Sequence, residues 1–265
     1  MKKDLKVAII QAKIPKSTSI GEEQIDRLVK EATQQKIDIV GLSEDCLAKI
    51  EDIKNGYDAM NYLSSIAKKY GVYLFGATIV KTSDDLRNRG FLFNRNGELV
   101  HVHDKVVLTP PEVDAGLIAG ETIEVFDTEF GKMSILVCKD SFHRYAAWFF
   151  EKLYKAGVEI VLVPSYSIGV SERSIELWTN SLKALAKWFS VYVLAPGTIG
   201  KNTTEWPSFG HALIICPKRV VLAEGSLDKE EILRATLDVE SLEYIRNSDV
   251  KWQPNEVPEV EVITE

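Results

Sequence analysis

The stretch from Gly131 to Phe142 constrains the fold more than any other. Its apolar run Ile135-Leu136-Val137 has no alternation, the pattern of a strand covered on both faces, and it delivers Cys138 where the strand ends and polar Lys139-Asp140-Ser141 begins. A strand covered on both faces needs a layer of structure above and below it, so the chain reads as α/β. Strand ends are also where α/β folds place chemistry, which singles out Cys138. Residue type alone favours a small core hydrophobe over a nucleophile.

Alternating periods organise the first third of the chain. Leu5 to Gln11 reads as a first strand, and Gln24 to Gln35 carries Ile25, Leu28, Val29 and Ala32 as the stripe of an amphipathic helix lying on a sheet. Ile37 to Leu42 makes a second strand, stopping at Ser43-Glu44-Asp45. Ala59 to Tyr70 is a helix with Gly71 as its stop, and Val72 to Val80 is a third strand. A hairpin follows, Gly90 to Phe93 and Glu98 to His103, because the Asn96-Gly97 step favours a tight turn between β-rich runs.

After a loop holding Pro110-Pro111-Glu112 and a short run Glu124 to Phe126 comes the central strand, Lys132 to Cys138. Ser141 is placed to cap a helix reaching Ala156, with Gly157 as its end. Glu159 to Pro164 is another buried strand, followed by a long helix from Ser171 to Phe189 and a strand from Val191 to Ala195. Three β runs close the chain, His211 to Cys216, Arg219 to Glu224 and Glu231 to Val239, with a short helix over Glu240 to Asn247. The sheets are therefore mixed and covered by helices; periodicity does not separate one sheet from two. No linker, repeat or low-complexity tract divides the 265 residues, so a single domain over 1–265 is expected, with 254–265 as an extended acidic tail.

Charge narrows the function. With 32 Lys+Arg against 39 Asp+Glu the net charge is −7, which gives a polyanion no global attraction and disfavours nucleic acid. The apolar run Val7 to Ile10 is too short for a signal peptide or a membrane span, so a cytoplasmic protein with no membrane partner is expected. Cys46, Cys138 and Cys216 are widely separated and form no C-x-x-C pair, so neither a disulfide framework nor a zinc site is expected. His101 and His103 share one face of a strand but no third ligand accompanies them, which reads as a polar sheet face.

Glu44, Lys105 and Cys138 each follow a β run. Brought together, a carboxylate, an ammonium and a thiol suit acyl transfer: a base for the thiol, a fixed positive charge for the oxyanion, and a proton for the leaving amine. Such an enzyme predicts a thiol of lowered pKa. Spacing does not show that the three ends meet. No G-x-S-x-G elbow, Walker loop or G-x-G-x-x-G fingerprint supports another enzyme class.

These pieces in order resemble the nitrilase superfamily, the carbon–nitrogen hydrolases with a Glu-Lys-Cys triad. Lys6 to Gln11 is similar to that family's first strand, Val40 to Glu44 to the strand ending on its glutamate, and Lys105 to Leu108 to its lysine motif. The segment Ala119-Gly120-Glu121 through Gly131-Lys132, the cysteine strand and Ala156 to Ser165 is the most specific match; Phe209 to Ala212 and Gly225 to Asp238 resemble the closing strands.

The resemblance implies a four-layer α-β-β-α sandwich of two mixed sheets, no metal or organic cofactor, and a homodimer or higher homo-oligomer built on the helices after Ser141 and Ser171. It also implies a cysteine-dependent hydrolase of small amides, of ω-amidase, carbamoylase or aliphatic amidase type, acting through a thioester. Cys138 would be nucleophile, Glu44 base, Lys105 and the backbone N–H of Lys139 the oxyanion hole, and Glu112 a fourth member orienting Lys105 or the leaving group. Phe142, Tyr166, Trp206 and Lys139 are expected to line the substrate, with Lys139 favouring a carboxylate-bearing one; His143 reads as pocket wall or surface. Cys138-Lys139-Asp140 is closer to the amidase form than to the Cys-Trp-Glu of true nitrilases. Nitrile hydrolysis is the alternative chemistry. A non-enzymatic interaction protein on the same fold is the alternative class.

The departures from the family pattern lie around the triad. Ser43 stands where proline is usual, Phe142-His143-Arg144 where Phe-Pro-Glu is common, and Lys139 where an aromatic is common. Leu185 to Phe189 and Pro196-Gly197 also depart. Known subfamilies therefore do not transfer.

Overall fold

The computed structural model describes residues 4–83, 85–168, 172–201, 207–218 and 220–250. The expected 254–265 tail and Trp206 lie outside the described residues.

Strand β1 (Asp4–Lys13) leads into helix α1 (Thr18–Ala32), β2 (Ile39–Glu44), short α2 (Ile50–Lys54), α3 (Ala59–Tyr70) and β3 (Tyr73–Lys81). Helix α3 has the expected bounds because both ends are chemically marked. The Asp58 carboxylate accepts the Asn61 N–H at 3.0 Å, and Gly71 at φ 62° adopts the left-handed turn. The hairpin β4 (Leu86–Phe93) and β5 (Leu99–Asp104) follows. Where a loop was expected, Pro110–Asp114 forms one helical turn, α4. Its first turn is favoured by proline and closed by Glu112, which accepts from both the N–H and the hydroxyl of Thr109.

Then come β6 (Phe126–Thr128), β7 (Gly131–Ile135), a 3-10 turn Cys138–Ser141, α5 (Ala146–Lys155), β8 (Ile160–Leu162), α6 (Glu172–Trp188) and β9 (Tyr192–Ala195). Ser141 does not cap α5. It is the last residue of the 3-10 turn, and α5 begins only at Ala146. The remaining elements are β10 (Thr198–Lys201), β11 (Pro207–Phe209), β12 (Leu213–Ile215), β13 (Val221–Glu224), β14 (Glu231–Asp238) and α7 (Val239–Val250).

The strands form two mixed sheets. The first runs β11-β10-β1-β2-β3-β4-β5, with β14 pairing antiparallel to β1 from Asp4↔Asp238 to Gln11↔Glu231; the second runs β13-β12-β9-β8-β7-β6. Alternation along each strand then sets four layers. On β1, Val7 and Ile9 enter a core between the sheets with Ile135, Val137 and Leu162, while Ala8 and Ile10 face Ile25, Leu28 and Ile66 of α1 and α3. Across the second sheet, Leu136, Val161 and Val193 face Phe150, Leu153, Trp178 and Leu182 of α5 and α6. Each such aliphatic or aromatic side chain removed from water stabilises the fold by about 1.5–3 kcal/mol. The architecture is the α-β-β-α sandwich expected. Apolar faces of α5 and α6 that were expected to join subunits are part of this core, leaving Trp148 and Trp188 as their exposed aromatics.

Candidate active site

Three chain ends meet. Glu44 is the last residue of β2, at a register shift against β3, and the next residue, Asp45, turns the chain out at φ 52°. Lys105 follows β5, its N–H donating to the Asn88 carbonyl at 2.9 Å. Cys138 opens the 3-10 turn at φ 47°, a left-handed backbone that costs a non-glycine residue about 1–3 kcal/mol and is therefore held from elsewhere. The Cys138 N–H donates to Pro164 O at 3.0 Å, and Asp140 accepts the Val137 N–H at 3.1 Å.

The side chains interlock. Lys105 Nζ is 2.7 Å from Glu44 Oε1 and 2.9 Å from Glu112 Oε1, with Glu44 and Lys105 both almost fully buried. The second oxygen of Glu44 accepts the Tyr166 N–H at 2.9 Å. Burial opposes the Lys105 charge, but the carboxylates of Glu44 and Glu112 overcome it and raise its pKa well above the usual lysine value. Glu112 goes the other way: burial pushes it up, yet the Lys105 charge and hydrogen bond leave it below the usual carboxylate range.

The thiol corrects an expectation. Burial and the charge of the Glu44 carboxylate raise Cys138 well above an ordinary thiol, and Lys105 offsets this only in part. The resting group is thus a neutral thiol next to a carboxylate rather than a preformed thiolate. The other two cysteines are buried, with Cys46 pushed up to about 12 by burial, and behave as core residues.

Cys138 opens into a cavity of about 320 Å³. Phe142, Trp178 and Phe209 form an aromatic wall, with Phe142 and Trp178 stacked at 4.1 Å; Lys139, Thr109 and Ser167 supply polar groups. Phe142 and Lys139 thus line the cavity into which Cys138 opens. Tyr166 enters through its backbone N–H, while its ring is buried and the adjacent Ser167 and Ile168 reach the cavity. His143 lines a neighbouring cavity of about 360 Å³ that excludes Cys138.

A family model described as carbon-nitrogen hydrolase matches residues 6–247. The chain belongs to the carbon-nitrogen hydrolase family. Among curated relatives of this hydrolase, an omega-amidase of Saccharomyces cerevisiae is 24% identical over 92% of this chain and 90% of that protein. The 2-oxoglutaramate amidase of Bacillus subtilis is 27% identical over 76% of each. A carbon-nitrogen hydrolase from Helicobacter pylori superposes with TM-score 0.83 at 21% identity, over 93% of both chains. An amidase from Nesterenkonia sp., solved with acrylamide added at its active-site cysteine, superposes at 0.78 with 19% identity, over 94% of this chain and all of that one.

Several residues of the hydrolase's site escaped the sequence reading. Asn88 Nδ2 spans Glu44 Oε1 at 2.7 Å and Glu112 Oε1 at 2.6 Å, holding the two carboxylates around one lysine. Its only signal was a polar residue two positions before Gly90, on the same face of β4. Thr109 was readable, since Thr109-Pro-Pro-Glu112 has the spacing of a capping box. Trp178 falls on the core-facing side of α6, and Ser167 carried no signal. Its buried hydroxyl has no protein partner among the described residues, and its φ is 55°. His101 and His103 are not a solvated polar face: His101 stacks on Phe126 at 4.3 Å, and His103 is buried between Glu124 and Asp140.

Proposed function

We propose that this hydrolase is a cysteine-dependent amidase of small linear amides, with Cys138 as nucleophile, Glu44 as general base and acid, and Lys105 as the oxyanion's counter-charge. The observation that carries the reading is the buried Glu44 carboxylate, 2.7 Å from Lys105 Nζ, whose charge also acts on the Cys138 thiol. Because the thiol rests protonated, attack is coupled to proton removal, and Glu44 is the group positioned to take the proton.

As the sulfur–carbon bond forms, the thiol proton passes to Glu44 and the carbonyl pair moves onto oxygen, held by Lys105 Nζ and the Lys139 N–H. Collapse breaks the C–N bond, and Glu44 gives its proton to the departing ammonia or amine. Water then loses a proton to Glu44 and adds to the thioester. Expulsion of the sulfur, which regains its proton, releases the carboxylic acid. Glu112 keeps Lys105 charged and aimed, and these steps need no metal or organic cofactor.

The relatives named omega-amidase and 2-oxoglutaramate amidase support an ω-amide bearing a carboxylate, and Lys139 in the cavity wall supplies a cation for it. The acyl chain would lie on the Phe142–Trp178–Phe209 wall. Ammonia release from a panel of ω-amido acids, neutral aliphatic amides, carbamoyl amino acids and nitriles tests this. The reading predicts turnover of amides that Cys138→Ala abolishes, and about tenfold loss of preference for anionic over neutral amides in Lys139→Ala. Turnover of nitriles alone, or an unchanged preference, contradicts it.

Three free cysteines, one of them a working nucleophile, favour a reducing, cytoplasmic setting. No helix among the described residues is long and apolar enough to cross a membrane. Trp148 and Trp188, 54% and 59% exposed on α5 and α6, support self-association through that face. A monomeric mass by light scattering contradicts it.

A further inference from the structure

His103 plays no part in the chemistry above, yet it is 1% exposed and charged groups enclose it. On β5 it sits opposite Gly90 of β4. A Cβ at Gly90 would come within 2.6 Å of Ile135 Cγ2 and 3.1 Å of Val137 Cγ2, so the two sheets approach closely at this level. His103 Nδ1 lies 3.0 Å from Glu124 Oε2, and Nε2 lies 3.0 Å from Asp140 Oδ2.

Asp140 is fully buried and gathers backbone from two segments. Its Oδ1 accepts the N–H groups of Val106 at 3.1 Å and Val107 at 2.7 Å; its Oδ2 accepts Val137 N–H at 3.1 Å. Val106 follows Lys105 and Val137 precedes Cys138. The carboxylate therefore clasps the lysine's chain to the cysteine's chain, and His103 is the side chain that pairs with it.

We propose that His103 is a positioning residue, an imidazolium strut between Glu124 and Asp140 that fixes the Cys138 turn against the strand end carrying Lys105. The proposal rests on the roles given to Cys138 and Lys105, and the readouts below separate its failure from theirs. Uncharged, the ring donates through one nitrogen only, so either Glu124 Oε2 or Asp140 Oδ2 gives up its imidazole donor. Charged, it donates to both.

The charge is available at neutral pH. Burial pulls the imidazole down, but the hydrogen bonds to Asp140 and Glu124 and the charges of both carboxylates overcome it, raising the pKa to about 9. The groups facing it are Glu124 from the segment before β6, Asp140 from the 3-10 turn and His101 from its own strand; from β4 it meets Gly90, which has no side chain. Because the folded pKa lies above the unfolded value near 6.5, the strut contributes fully below about pH 6.5 and is lost as pH rises through about 9. Cys138 and Lys105 are raised above that window, so neither produces a transition there.

The test uses the whole protein with two readouts, imidazole nitrogen NMR and the pH dependence of Cys138 alkylation by iodoacetamide, beside amide turnover. The wild type is expected to show His103 protonated on both nitrogens at neutral pH, titrating near 9, with a break in alkylation and kcat at the same pH. His103→Gln, which keeps one N–H donor and does not titrate, is expected to lose that break and to lower kcat about 10- to 100-fold with KM nearly unchanged. His103→Leu removes the imidazole donor from both carboxylates and should lose more; if it does not fold, the Gln variant still decides. A ring that titrates near 6.5, or a Gln variant that keeps the break and the rate, overturns the strut. A wild type without amide turnover whose alkylation break vanishes in His103→Gln upholds the strut and overturns the amidase reading alone.

Discussion

Two clusters in this molecule share one plan, a buried cation between two carboxylates, and differ in what the cation is. In Glu44–Lys105–Glu112 it is an ammonium beside the thiol. In Glu124–His103–Asp140 it is an imidazole between the sheets. A lysine with raised pKa keeps its charge at any physiological pH, which suits a group proposed to meet an oxyanion at every turnover. A histidine's charge is conditional, and its ring makes two fixed bonds in one plane, which suits a brace. The first cluster has polar groups converging from three strand ends, whereas the second spends its bonds on backbone beside those ends. We infer that chemistry and its support are separated here into two ion clusters joined by Asp140.

The comparison breaks most sharply on the first cluster. Replacing Lys105 by Met should abolish measurable turnover. It also leaves Glu44 and Glu112 buried without their cation, which should cost about 3–5 kcal/mol of stability in urea titration. A folded, active Lys105→Met variant would dismiss the cluster as ornamental. Glu44→Gln should lower kcat by about 10²–10⁴ and also cost stability, because the amide keeps one acceptor oxygen where the carboxylate gave one to the Tyr166 N–H and the other to Lys105. Equal losses for Glu44→Gln and His103→Gln would erase the distinction between the clusters.

Stability against pH sharpens it from both ends. Glu112 is depressed below its ordinary value, so its contribution is present above about pH 4.5 and fades as pH falls through the lowered pKa. His103 acts in the opposite sense, its contribution fading as pH rises through about 9. Thermal melts across pH should therefore show an acid loss that Glu112→Gln removes and an alkaline loss that His103→Gln removes. One shared transition would contradict two independent clusters.

The smallest expected effect belongs to Ser167. Its buried hydroxyl finds no protein partner among the described residues and its backbone is left-handed, so a substrate hydrogen bond there would offset part of the cost. Ser167→Ala should leave the melting temperature unchanged or slightly higher while raising KM. A loss of stability with KM unchanged would make the hydroxyl structural.

Local chemistry explains which parts of this were legible in the chain. Helix α3 was readable because Asp58 and Gly71 mark its ends, and the β4–β5 hairpin because Asn96-Gly97 turns it. Strands β10 and β11 were not, being four and three residues long and defined by pairing with β1 and with each other. The Ser141 cap failed because Asp140, bound to Val106, Val107 and Val137, fixes a 3-10 turn that moves the cap of α5 by four residues, from Ser141 to Tyr145. The lowered thiol pKa failed for a similar reason: the sum of burial, Glu44 and Lys105 is a property of assembled distances. Residue types along the chain pointed to Glu44, Lys105 and Cys138, and the family resemblance added Glu112. Asn88, Ser167 and Asp140 became visible only once partners far apart in sequence were brought to hydrogen-bonding distance.

Intact-protein mass after rapid quenching with a small amide, followed by peptide mapping, tests the central claim most directly. The account predicts an acyl adduct confined to Cys138, absent in Cys138→Ala, and accumulating when Glu44→Gln slows hydrolysis of the thioester. An adduct on another residue, or ammonia release undiminished in Cys138→Ala, would contradict it.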